Sequence, residues 1–389
     1  MPSAARRVAG MGETIFAEMS ALAVRTGAVN LGQGFPDTDG PVELLDAAVA
    51  ALHGGANQYA PGIGIPALRQ AIARHQQRHY GIELDPDRQV VVTTGCTEAI
   101  AGALLGLVDP GDEVVVLEPY YDSYTAIIDF AGGVRRPVTL RAPDFRLDPD
   151  ELAAAVSPRT KLILLNTPHN PTGRVLDADE LAAVARVAQE HDLLVVTDEV
   201  YEHLALDGQH VPISTLPGMA ERTLTLSSAG KSYSVTGWKV GWATGPGELV
   251  AAVTAAKQWL TFTSGAPLQP AVAHALDHQP DFPARLAASL RERRDELVGG
   301  LRAAGLTTYS PQGTYFATTD VTDLGWASGG DFCRALPGRA GVVAIPSEVF
   351  YDAPDAPGAG RHLVRWAFCK RPEVIAEAVR RLAAADLTA

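Results

Sequence analysis

From about residue 90 the chain alternates between short runs of β-branched residues and longer stretches whose apolar positions recur at helical spacing. "QVVVTTG" (89–95) predicts a strand, and "TEAIAGALLGLV" (97–108) a helix closed by "DPGD". "EVVVLEP" (113–119), "KLILLN" (161–166), "LLVVTDE" (193–199), "RTLTLSS" (222–228) and "KVGWAT" (239–244) predict five further strands. Asp177 with Glu180 predicts a capping box for the helix "ADELAAVARVAQEH". Continuous apolar strands separated by helices indicate a mostly parallel sheet buried on both faces, hence an α/β domain over residues 40–275. The texture then changes. "FPARLAASLRERRDELVGGLRAAG" predicts a long amphipathic helix, and "GTYFAT", "GVVAIP" and "HLVRWAF" predict strands of a smaller sheet, with "PEVIAEAVRRLAAADL" as a last helix. The expectation is a smaller α+β domain over 276–389, joined by an N-terminal arm over 1–39. "PDAPGAG" (354–360) predicts a loop.

Composition narrows the function classes. A chain of 389 residues exceeds the usual size of one hydrophobic core, which agrees with two domains. The formal net charge of −13 argues against an extended nucleic-acid footprint while leaving room for a local basic pocket for a small anion. The three cysteines, Cys96, Cys333 and Cys369, show no paired metal-ligand spacing, so no metal is expected and a reducing compartment fits better than a disulfide framework. No apolar run approaches the length of a bilayer span, and the opening "MPSAARRVAGMGETIF" has no signal-like apolar core after its arginines. A cytoplasmic protein without a membrane partner is expected.

In an open parallel sheet, ligands collect beyond the carboxyl ends of the strands. Four sets of polar residues fall there: Gly95, Cys96 and Thr97; Tyr121; Asn166 through Thr172; and Asp198 with Tyr201. Asp198 follows a buried strand. It is either a solvated carboxylate or a partner for a protonated ring nitrogen, as an enzyme using pyridoxal phosphate requires. Lys231, in "SSAGKSYSVTGWKVGW" (227–242), is either an exposed loop lysine or an amine held for Schiff-base chemistry. Ser228 and Lys239 flank it and can both reach a phosphate. The backbone amides of Cys96 and Thr97, at a helix start, offer that phosphate a seat, with the Cys96 thiol expected to be inert and Thr97 open to an N-cap role. Tyr121 is a rim aromatic or a stacking platform, with Tyr120 and Tyr124 expected as packing residues. Asn170 sits in the turn "NTPHNPTG", within reach of a cofactor or a substrate carboxylate. Neither an ATP loop nor a dinucleotide fingerprint is present: "APGIGIPALR" does not follow a strand.

Taken in order, "NLGQGFPD", "NQYAPGIG", "EPYYDSY", "LNTPHNPTG", "VTDEVYEHL", "SSAGKSYSVTGWKVGW", "GTYF" and "HLVRWAFCK" resemble the fold-type I pyridoxal-phosphate-dependent aminotransferases of class I/II. The branch most similar contains kynurenine–oxoglutarate transaminase, glutamine transaminase K, cysteine-S-conjugate β-lyase, methionine aminotransferases and N-succinyldiaminopimelate aminotransferases. The resemblance implies pyridoxal 5'-phosphate as cofactor, Lys231 as its Schiff-base lysine and Asp198 as partner of the ring nitrogen. It also implies Tyr201 and Asn170 at the ring oxygen, Tyr121 on the ring face, and Cys96, Thr97, Ser228 and Lys239 at the phosphate. Tyr59 would reach the phosphate of a neighbouring subunit, which implies a homodimer. Arg365, with Asn170 and the Gly34 backbone, would receive the substrate carboxylate. Phe16 stands where the kynurenine-type enzymes place a tryptophan, and Ser264 and Gly265 where they place an aromatic–histidine pair, which points to a wider side-chain pocket.

The expected reaction is amino transfer from an L-amino acid of methionine, glutamine or aromatic type to a 2-oxo acid. N-succinyl-LL-2,6-diaminopimelate is the alternative substrate, β-elimination from a cysteine conjugate an alternative reaction, and a non-catalytic ligand-binding module on the same fold the alternative of another class.

Overall fold

The computed structural model describes residues 5, 7, 8 and 12–389. Its central sheet has seven strands: β1 (Val90–Thr94), β2 (Glu113–Glu118), β3 (Val134–Thr139), β4 (Thr160–Asn166), β5 (Leu194–Asp198), β6 (Thr223–Ser228) and β7 (Val240–Thr244). They lie in the order β1-β7-β6-β5-β4-β2-β3. All pairings are parallel except those of β7, which runs antiparallel to both β1 and β6. Alternate side chains enter different cores: Val114, Val116, Leu162 and Leu164 join one cluster, Val115, Leu117, Ile163 and Leu165 the other. A sheet covered on both faces needs apolar residues at every position, which is why these strands read as unbroken β-branched runs.

The expected capping box is present: the Asp177 side chain accepts from the Glu180 amide while Glu180 reaches back to the Asp177 amide, starting the helix Ala178–Glu190. An edge strand and a helix depart from the sequence pattern. "VRRPVT" forms the edge strand β3, whose outer face is exposed and tolerates the arginines and the proline. Gly329–Ala340 is a helix despite its glycines and internal Pro337, started by the Ser328 side chain, which accepts from the Asp331 amide.

The C-terminal part contributes a second sheet of four strands, β8 (Thr307–Tyr309), β9 (Phe316–Asp320), β10 (Ile345–Pro346) and β11 (Leu363–Ala367), in the order β10-β11-β9-β8 and antiparallel throughout. The helices Phe282–Ala303 and Pro372–Ala383 pack together beside it. "GVVAIP" is divided: Ile345–Pro346 belongs to this sheet, whereas Val342–Val343 pairs in parallel with Val29–Asn30 of the N-terminal arm. That pairing, and the packing of helix Ile15–Thr26 against Gly329–Ala340, hold the arm on the C-terminal part. No helix of the described residues is long and apolar enough to cross a membrane.

Candidate active site

Because β1, β2, β4, β5 and β6 are parallel or lie in the same sense across β7, their carboxyl ends share one edge of the sheet. Asn166 stands beside Asp198 in the register, and Ser228 beside Gly241. The antiparallel β7 enters the sheet at this same edge, so Lys239, the residue before it, is delivered there too. A cleft of about 270 Å³ opens above the edge. Of the sequence-predicted residues, Phe16, Gly34, Cys96, Thr97, Tyr121, Asn170, Asp198, Tyr201, Ser228, Lys231, Lys239 and Arg365 all line it. Tyr59 does not: it is 86% exposed and packs edge-on against Phe262.

One end of the cleft is built to receive an anion. The helix Gly95–Leu107 begins directly after β1 and points its free amides inward. Gly95 has a left-handed φ of 68°, and a Cβ there would lie 3.0 Å from Lys239 Cε, so glycine is what lets the lysine close over the helix start. Gly241 is equally constrained, since its Cβ would meet Cys96 N at 2.7 Å. Lys239 itself has φ 54°, an unfavourable backbone for a side-chain-bearing residue, and its Nζ donates to Thr97 Oγ1 at 3.3 Å. Thr97 is inside the helix rather than its N-cap. Thr94 holds that position, and its amide donates to Glu98 Oε2 at 2.5 Å.

At the centre, buried Asp198 accepts from the Tyr124 hydroxyl at 2.8 Å, from Cys96 Sγ at 3.4 Å and from the Val200 amide at 3.2 Å. Burial still pushes its pKa up, because these partners only partly replace water. One expectation is corrected here: Tyr124 is not merely packing, because its hydroxyl donates to Asp198. The Cys96 thiol is buried and held protonated by burial and the adjacent carboxylate, as expected of an inert side chain, and makes a long contact to Asp198. Asn166 also does more than end a strand. Its amide donates to the Asp198 carbonyl at 2.9 Å and its oxygen accepts from the Asn170 backbone at 2.7 Å, tying the two turns together.

Lys231 lies across from Asp198 in a single-turn helix, Ala229–Ser232. Burial pushes its pKa down to about 8, and the cations Arg365 and Lys239 push the same way, against Cys369 and Asp198. Its Nζ donates to the Tyr315 hydroxyl at 2.9 Å, and that hydroxyl donates to the Gly34 carbonyl at 2.7 Å. Tyr315 was not among the predicted site residues. It sits in "GTYF", but nothing local marks its hydroxyl as the one that meets a lysine 84 positions away.

Arg365, on β11, is 2% exposed. Its Nη1 donates to Asn170 Oδ1 and its Nη2 to the Gly32 carbonyl, each at 3.1 Å. The guanidinium carbon lies 4.1 Å from the Phe316 ring centre, 5.1 Å from Phe16 and 5.2 Å from Phe350. Its Nε is buried without a partner, and among the described residues no carboxylate comes within ion-pair distance. Burial accordingly pushes its pKa down to about 10. Gly34 is required beside it: a Cβ would come within 2.5 Å of Phe316 Cζ. A buried cation with neutral partners and an idle donor suits an incoming anion.

The chain's relatives agree with this chemistry. The family model for aminotransferase class I and II matches residues 26–382. A probable N-succinyldiaminopimelate aminotransferase of Mycobacterium tuberculosis is 53% identical, with 95% of each chain covered. A methionine aminotransferase of Escherichia coli is 40% identical, with 96% of each covered. The solved N-succinyldiaminopimelate aminotransferase from Mycobacterium tuberculosis superposes with a TM-score of 0.95 at 52% identity, over 98% of this chain and all of that one. The chain belongs to the class I and II aminotransferases, fold-type I enzymes that use pyridoxal 5'-phosphate to move amino groups.

Proposed function

We propose that this aminotransferase acts on N-succinyl-LL-2,6-diaminopimelate with 2-oxoglutarate as the amino acceptor. The reaction class rests on one observation above the rest, a buried Arg365 that has no carboxylate partner among the described residues and faces the low-pKa amine of Lys231. The substrate rests on the relative at 53% identity, against 40% for the methionine enzyme. This reverses the order of preference that the sequence alone suggests. Methionine and other medium-sized amino acids are the second reading, supported by that 40% relative.

The donor set fits the cofactor. The Gly95–Leu107 helix start, Thr97, Ser228 and Lys239 suit a phosphate, Asp198 suits a protonated ring nitrogen, and Tyr201 and Asn170 offer hydrogen-bond donors nearby. Tyr121, partly exposed at the cleft wall, presents an apolar face to a ring. When bound, pyridoxal 5'-phosphate supplies the aldehyde that takes the amino group and a ring that draws electrons from the substrate Cα. Asp198 keeps a proton on the ring nitrogen. Arg365 binds the substrate carboxylate through two N–H donors and so aims the Cα–H bond at Lys231. Lys231 Nζ takes that proton as a base and would deliver it as an acid to the carbon that carried the cofactor's aldehyde oxygen, a role that a pKa lowered to about 8 favours. Phe16 and Phe350, packed 6.1 Å apart over Arg365, limit water.

The same reading takes 40–275 as the cofactor domain and 276–389 with 1–39 as the smaller one, in line with the separate seven-stranded and four-stranded sheets. It also includes a cytoplasmic homodimer. Three buried free cysteines suit a reducing compartment. Tyr59, Trp259 (83% exposed), Leu260 and Phe262 form an exposed apolar patch, and Thr261 within it touches Thr94 Oγ1 at 2.9 Å, next to the phosphate seat. Such a patch suits a second copy that takes up Tyr59. The deciding experiment measures kcat/KM for N-succinyl-LL-2,6-diaminopimelate, methionine, glutamine, phenylalanine and a cysteine conjugate, with 2-oxoglutarate as acceptor. The succinylated substrate leading the panel is the expected result; methionine leading would replace the reading by the second one, and pyruvate released from the conjugate would favour elimination.

A further inference from the structure

Two residues beyond Tyr201 the chain turns away from the cleft, and His203 meets the helix Pro66–Tyr80. That helix carries His75 and His79, four residues apart and so on one face. The ring centres of His75 and His79 lie 4.6 Å apart, those of His75 and His203 4.9 Å, and those of His79 and His203 4.8 Å. One ring nitrogen from each falls within 4.8 Å of the other two. None of the three lines the cofactor cleft, and the proposed reaction uses none of them.

Three imidazoles converging from two elements form the donor set that borderline divalent cations take, with a fourth position left to water. Two further observations point the same way. Glu202, the neighbour of His203, is buried; its Oε1 accepts from Ser227 Oγ at 2.6 Å and the Tyr80 hydroxyl lies near the carboxylate, but among the described residues its Oε2 has no partner within hydrogen-bond distance. Its negative field reaches all three imidazoles, opposed by Arg78 at His75 and His79. The side chain of Arg78 turns toward the Leu276 carbonyl, 2.9 Å away. Gln76 Nε2 lies 3.4 Å from His75 Nδ1, and the amide turned end for end would bring its oxygen there to accept the proton that ligation through Nε2 leaves on Nδ1. The His75 and His203 Nε2 atoms are 2.7 Å apart, whereas ligands at about 2.05 Å around a tetrahedral Zn²⁺ sit roughly 3.3 Å from each other. The site therefore opens slightly on loading. His79 is exposed and His203 partly so, which leaves both rings room to turn.

We propose that His75, His79 and His203 form a binding site for a borderline divalent cation of the Zn²⁺ type, tying the helix Pro66–Tyr80 to the segment that carries Tyr201. The test uses tag-free holoenzyme stripped with a chelator, titrated with Zn²⁺ by calorimetry and with Co²⁺ by visible absorption. The expected result is saturable binding of one equivalent per chain, a Co²⁺ band that Zn²⁺ displaces, and an upward shift of the melting temperature on loading. His79→Ala removes an exposed ligand and should melt like the metal-free wild type. It should weaken binding by at least the roughly 10–100-fold that even outer-shell partners contribute. His274→Ala is the control, because His274 and His278 make a second pair four apart, with ring centres 4.6 Å from each other, and lack a third imidazole. Binding unchanged in His79→Ala, an equal loss in His274→Ala, or no saturable binding by the wild type would each overturn the proposal.

Discussion

Two buried arginines of this molecule are treated in opposite ways. Arg174 donates to Glu180 Oε2 at 2.5 Å and to Asp177 Oδ2 at 3.0 Å, and Gln312 Oε1 lies 3.3 Å from its Nη1. Arg365 is still more buried, yet among the described residues it has only two neutral oxygens, three aromatic rings and an idle Nε. The first charge is neutralised within the chain and holds a turn in place. The second is left for a ligand. Burial alone does not separate a structural ion from a binding one; the charge balance around it does.

Substitutions can break this contrast from either side. The largest effect is expected at the amine that Arg365 faces: Lys231→Ala should lower kcat/KM by about 10⁴-fold or more while the circular dichroism melt stays cooperative. Arg174→Met should do the reverse. It leaves Glu180 buried without its partner, so chemical denaturation should show a loss of about 3–5 kcal/mol, with kcat unchanged below the transition. Arg365→Met should lower kcat/KM by roughly 10²-fold, and the ligand-free protein should melt no earlier than wild type, because an unpaired buried charge has gone. An early melt would show that Arg365 belongs with Arg174 after all. Tyr315→Phe should lower kcat/KM by about tenfold, the worth of one hydrogen bond to a charged amine.

The smallest expected effect concerns pH. In the cofactor-free protein the Lys231 pKa is lowered from 10.5 to about 8. Between those values the unfolded chain holds a proton that the native one has lost, so stability rises with pH there, and the burden of the buried charge is fully present below about 8. Cofactor-free Lys231→Met should therefore melt above wild type near pH 7, with the difference shrinking toward pH 10. Parallel melts at the two pH values check this; a constant gap would mean that Lys231 is not titrating in the window.

The sheet and most of the cleft were legible in the sequence for the same reason. Strands buried on both faces must be continuously apolar, and ligand-binding residues sit immediately after them, so Asp198, Asn170 and Lys231 can be found by reading off strand ends. β3 escaped because an edge strand needs no such run. The helix Gly329–Ala340 escaped because its glycines and proline speak against it locally, while its packing on the arm decides the matter. Tyr124, Tyr315 and the histidine cluster share another obstacle. Their partners Asp198, Lys231 and His203 lie 74, 84 and 128 residues away, and hydroxyls and imidazoles are common enough that only the folded chain says which ones meet.

The segment from Ser228 to Lys239 leaves the sheet and re-enters it at the same edge, because β7 runs backwards. It works as a calliper, with an amine near one jaw and a cation at the other, and β6 and β7 clamp both ends. Lengthening or shortening the span between them by even one residue would change the gauge of the whole cavity.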